Sequence, residues 1–80
     1  MEIPRREHAV VGVRQSLRLI AANGAEKAYV ARDVDPAIAQ PFVQMCNDYH
    51  VEIEYVDSKK HLGRLCGIDV DASVVVIKKG

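Results

Sequence analysis

The spacing of apolar positions changes repeatedly along the chain, and each change marks an element. "HAVVG", residues 8–12, is a short apolar run that predicts a strand ending at Gly12. Val13, Leu17 and Ile20 then recur at i, i+4, i+7, which predicts a helix that Asn23 and Gly24 stop. "KAYVA", residues 27–31, has few polar interruptions and predicts a central strand covered on both faces. Asp33, Asp35 and Pro36 predict a turn, with Asp35 as cap and Pro36 as the first helical residue. Pro41 is a poor interior residue. A brief turn over 36–39 is therefore expected, then a helix from Pro41 to Tyr49 whose core face carries Phe42, Met45, Cys46 and Tyr49. "VEIEYV" alternates, with Val51, Ile53 and Tyr55 opposite Glu52 and Glu54, and predicts a strand near an edge with one wet face. Ser58 caps a third helix over 59–66, striped by Leu62, Leu65 and Cys66 and stopped by Gly67. Gly63 inside it implies close approach of another backbone. After the loop "IDVDA", "SVVVIKK" predicts a second central strand.

Strands alternating with helices imply an α/β sheet with helices on both faces. Eighty residues suffice for one domain over 1–80, with no repeat, linker or low-complexity tract. No stretch approaches the ~20 apolar residues of a membrane span, so no membrane partner is expected. The opening "MEIPRREH" is too charged to read as a signal peptide, and a cytoplasmic, reducing setting is expected. Cys46 and Cys66 cannot make a four-ligand zinc site on their own, and are expected to pack as small apolar residues.

Composition gives a net charge of zero, but the charges are segregated. Residues 1–32 hold six Lys and Arg against three acids, 33–57 hold six acids and neither Lys nor Arg, and 58–80 hold five Lys and Arg against two acids. This is either chance clustering on a wet surface or two basic blocks meeting on one face. Catalytic constellations are lacking. His8, His50 and His61 fall on separate elements without metal-ligand spacing, and no Gly-rich phosphate loop or His-paired nucleophile is present. No enzyme, metal or cofactor is expected. Turn capping accounts for Asp33 and Asp35, and strand alternation for Glu52 and Glu54.

The opening helix is electrostatically unusual. Helix N-termini favour acids, yet "GVRQSLRLI" places Arg14 and Arg18 there, with Gln15 between them and no acid. Like charges at i, i+4 repel by a few tenths of a kcal/mol. They are either two ordinary solvated arginines or the seat of an external anion. Helix-terminal N–H groups bind phosphate, Arg can grip phosphate or a guanine edge with two hydrogen bonds, and Gly12 would allow close approach. Ile68 and Val70, on the loop after the third helix, either tuck into the core or present an apolar contact to an unstacked base.

Gly12, Arg14, Gln15 and Arg18, with "ARDVDP" (31–36) and "SKKHLGRLCGIDV" (58–70), resemble the kink-turn-binding ribosomal-protein family, especially its short bacterial members of the YbxF type. The resemblance spans nearly the whole chain. Archaeal members typically carry Asn and Glu where this chain has Arg14 and Gln15, while Arg18 keeps a basic role. The resemblance implies a three-layer α/β/α sandwich with a mixed four-stranded sheet; separately, a cytoplasmic monomer is expected. The resemblance also implies binding of structured RNA at a kink-turn, on or beside the ribosome, with Arg14 and Gln15 at guanine edges. Arg18, Lys59 and Lys60 would hold phosphates, Ile68 and Val70 would cover a bulged nucleotide, and Arg32 would add a further contact. Asp69 and Asp71 must point away from the RNA, or affinity will suffer. The competing reading is a ribosome-associated scaffold that binds protein and has only generic RNA affinity.

Overall fold

The computed structural model describes residues 8–79. Residues 1–7, on which the signal-peptide reading rests, lie outside the described residues. Seven elements follow in order: β1 (Ala9–Val11), α1 (Val13–Ala21), β2 (Ala25–Ala31), α2 (Pro36–Asp48), β3 (Glu52–Val56), α3 (Lys59–Leu65) and β4 (Val74–Lys78). The four strands form one sheet in the order β1-β4-β2-β3. β4 runs antiparallel to both β1 and β2, with Val10 opposite Val76 and Ala28 opposite Val76 on its other side. β2 and β3 are parallel, with Ala28 opposite Ile53. The sheet is mixed, as expected.

The central strands β2 and β4 are apolar on both faces because both are covered. On one face Ala28, Val30, Val74 and Val76 pack with Ile20 of α1 and with Phe42 and Cys46 of α2. On the other, Tyr29, Val75 and Ile77 pack with Leu62 of α3, and Leu65 and Cys66 lie against them half-buried. This makes three layers, with α1 and α2 on one side and α3 on the other. Among the described residues, no helix is long and apolar enough to cross a membrane.

α2 departs from the sequence expectation: it is one continuous helix from Pro36, with no turn over 36–39, and Pro41 lies inside it. Asp35 accepts a hydrogen bond from the Ala37 N–H at 2.9 Å, which starts the helix firmly. Pro41 removes one backbone donor, but Pro41 and Ala37 are both exposed, so water can serve the freed carbonyl. Tyr49 was expected in the core and is instead 39% exposed, because it caps α2 where the chain turns away through His50 at φ 57°. Tyr55 shares a face with Val51 and Ile53 but is 46% exposed. It lies near the end of the edge strand, where α2 leaves a cleft rather than covering it.

Glu52 and Glu54 lie on the face away from α2 and converge on Lys27 across the parallel pair, at 3.4 and 3.0 Å. The hydrogen bond that Lys27 Nζ donates to Glu54 raises the Lys27 pKa above its ordinary value. The alternating acids thus hold strand register rather than form a catalytic pair.

Candidate nucleic-acid interface

The topology collects the ends of β1, β2 and β3 and the start of β4 at one end of the sheet. The Gly12 N–H donates to the Val74 carbonyl at 3.2 Å, the Ala31 N–H to Ser73 at 3.0 Å, and the Arg32 N–H to Val56 at 2.8 Å. The start of α1, the turn after β2, the start of α3 and the loop before β4 therefore share that end. Sequence reasoning put candidate residues on all four.

Gly12 is the N-cap of α1 and sits at φ 108°, ψ 148°, a conformation open to glycine alone. Its carbonyl accepts from the Ser16 N–H at 3.0 Å, the first intrahelical bond. The amides of Val13, Arg14 and Gln15 precede that bond, and no side chain caps the helix. The first turn holds no acid. Space beside the Gly12 α-carbon is open. Arg14, Gln15 and Arg18 are all exposed. Between them Ser16 is buried, its hydroxyl donating to the Val10 carbonyl at 3.4 Å. Periodicity of apolar residues could not reveal this hydroxyl. It completes the inward stripe with Val13, Leu17 and Ile20, and so turns Arg14, Gln15 and Arg18 outward.

The Lys59 N–H donates to the Asp33 carboxylate at 2.8 Å, and Ser58 accepts from the His61 N–H at 3.0 Å. Asp33 therefore fixes the turn after β2 to the start of α3, a link between residues 26 apart that local turn rules do not predict. Lys59 is half-buried and Lys60 exposed. The Ala72 N–H donates to the Lys59 carbonyl at 3.0 Å, and a side chain at Gly63 would overlap the Val70 carbonyl oxygen. These two contacts seat the loop on α3.

The two apolar loop residues separate. Ile68 is half-buried against the core, whereas Val70 is 67% exposed. Val70, Lys60, Asp69 and Asp71 border a small cleft of about 220 Å³ together with Arg64, which sequence reasoning missed. Its signal was available: Arg64 follows Lys60 by four residues, one helical turn. Asp69 and Asp71 are both exposed and border the same cleft as the cations. Arg32 is exposed, with its guanidinium 5.4 Å from the centre of the Tyr55 ring. That pairing depends on sheet register and was not legible in the sequence.

Among the described residues, no three His, Cys, Asp or Glu side chains are placed to hold a metal. Burial pushes the Cys46 thiol up to about 11, so it is neither a ready nucleophile nor a ligand at neutral pH. The arrangement offers exposed cations, amide donors and one apolar knob on a fixed frame.

The sequence pattern of the ribosomal protein L7Ae/L30e/S12e/Gadd45 family matches residues 2–80. The chain belongs to that family. An RNA-binding protein of Halalkalibacterium halodurans is 36% identical to it over 70 residues, covering 88% of this chain and 85% of the relative. RNA-binding protein YbxF of Geobacillus stearothermophilus is 35% identical over 68 residues, covering 85% and 83%. The solved structure of the Giardia lamblia 15.5kD RNA binding protein superposes with a TM-score of 0.85 at 29% identity. That match covers 92% of this chain and spans 62% of the larger protein. The family and the α/β sandwich implied by the opening-helix and loop motifs both hold.

Proposed function

We propose that this chain is a non-catalytic RNA-binding protein that recognises a kink-turn, a sharply bent helix flanked by tandem G·A pairs, within a ribosomal or other ribonucleoprotein particle. The observation that carries the reading is the start of α1: cations, uncapped amides and open space at Gly12, with no acid to balance them. RNA-binding relatives that match most of the chain support it. A-form RNA has a major groove too narrow for a helix. A kink opens the groove, so Arg14 and Gln15 can reach guanine edges. Arg18, Lys59 and Lys60 hold phosphates, and Val70, with Ile68 behind it, covers the extruded bulge nucleotide.

The test is a titration against a kink-turn and against the same RNA with its G·A pairs made Watson–Crick. The wild type should prefer the kink-turn, and Gln15→Ala should lose about 1–3 kcal/mol of that preference. Its salt slope should barely change, because no cation is removed. Equal wild-type binding to both RNAs would reject kink-turn recognition and leave a generic basic face.

A further inference from the structure

A further opening on the surface is separate from the start of α1. It is a cleft of about 600 Å³ between α2 and the edge strand β3. Its volume lies in the range of small-ligand sites. Carboxamides of Gln40, Gln44 and Asn47 line one wall, the Tyr55 ring and Arg32 line the other, and Val43 is half-buried between them. Arg32 is the sole charged residue of the lining. Among the acids near it, Asp35 caps α2, Asp33 accepts from the Lys59 N–H, and Asp48 accepts from Gln44 Nε2 at 2.9 Å. That last bond leaves the Gln44 carbonyl as an acceptor.

We propose that this cleft binds one unpaired nucleotide of an RNA strand running on from the kink-turn. The base lies against Tyr55, its edge meets the carboxamides, and its phosphate meets Arg32. The inference rests on the RNA-binding reading above. Flat aromatic and guanidinium surfaces stack on bases, and carboxamides can both donate to and accept from base edges. Arg32 is the one cation of the lining and is exposed, so its guanidinium can meet a phosphate. The cleft is also continuous with the RNA face. Arg32 belongs to the turn that Asp33 ties to the start of α3, so a strand crossing that turn reaches Arg32 and then Tyr55.

The experiment measures affinity for a blunt kink-turn RNA and for the same RNA carrying a short oligouridine extension, placed on each strand end in turn. One extension should tighten wild-type binding about tenfold, the scale of one aromatic–base stack. An abasic extension should give much less. Tyr55→Ala should lose the gain while binding the blunt RNA as the wild type does. Tyr55→Phe should keep it, since the ring remains. The proposal is overturned if no extension tightens binding, if the abasic extension works equally well, or if Tyr55→Ala retains the gain. Failure of the kink-turn reading looks different: the wild type then binds the kink-turn and its fully paired counterpart alike, whatever the extension does.

Discussion

At the scale of single residues, Gly63 and Cys46 show how little room the core leaves. Gly63 is a poor helix former, costing up to about 1 kcal/mol against Ala. A β-carbon there would collide with backbone of the loop at Val70, and backbone cannot rotate aside. Overpacking therefore outweighs helix propensity. Gly63→Ala should destabilise by about 1–3 kcal/mol in chemical unfolding, and the bulkier Gly63→Leu by more. A higher melting temperature in Gly63→Ala would disprove the contact. Cys46 is fully buried, and burial raises its thiol from 9.0 to about 11. The sign follows from proton linkage. Above pH 9 the unfolded chain loses this proton and the folded chain keeps it, so stability falls between about pH 9 and 11. The slope contributed by this group reaches at most about 1.4 kcal/mol per pH unit. Tyr29 is also raised by burial and adds loss of the same sign. Unfolding curves from pH 8 to 11 should therefore be less steep in pH for Cys46→Ala, without becoming flat.

At the scale of elements, α2 carries the clearest local conflict. Asp35 and Pro36 start it correctly by capping rules, but Pro41 breaks the ladder one turn later on the exposed face. Pro41→Ala restores the missing donor, with Ala the better helix former. It should raise stability by about 1–3 kcal/mol in denaturant titration, less than the full Pro penalty because Pro also restricts the unfolded chain. No change would mean that α2 already tolerates the missing bond without strain. The ends of the helices were more legible. Gly67, at φ 74°, follows α3, its N–H bonding back to Arg64 and that of Ile68 to Gly63. This is the Schellman pattern that a stopping glycine predicts. Asn23 does the same after α1, as the Asn-Gly pair suggested, but His50 after α2 carries no such signal. Apolar period thus revealed every strand and helix. What it could not reveal depends on neighbours distant in sequence: the exposed Tyr55, the buried Ser16, and the Asp33 carboxylate holding α3.

At the scale of the whole molecule, zero net charge conceals an end of the sheet where exposed cations of α1 and α3 gather. Candidate residues at the starts of α1 and α3 were legible because the chemistry is carried by residue type and position. Their convergence is set by β1, β2 and β3 ending where β4 begins. The acidic middle block is not all remote, since Asp33 and Asp35 sit at the same end. Both are engaged with backbone N–H groups, however. Asp69 and Asp71 make no such contact with a backbone N–H in the bonds described, and they border the cleft that holds Lys60, Arg64 and Val70. Their negative charge should weaken the attraction of that cleft for phosphate. Two opposite outcomes follow for RNA titrated at several salt concentrations. If Arg18 meets phosphate as proposed, Arg18→Ala should lower affinity for the kink-turn and its paired counterpart by a similar factor. The slope of log affinity against log salt should then flatten by about one unit or less. The double change Asp69→Asn and Asp71→Asn should instead tighten binding several-fold at low salt. That gain should shrink toward physiological salt, where charges more than about 8 Å apart are screened. Val70→Ala should follow neither course: its loss should appear only with an RNA that carries a bulged nucleotide, and should not change with salt. If the Asn variant binds no better at low salt, the two acids lie clear of the bound strand, and the RNA passes from α1 to Lys59 without crossing the Val70 cleft.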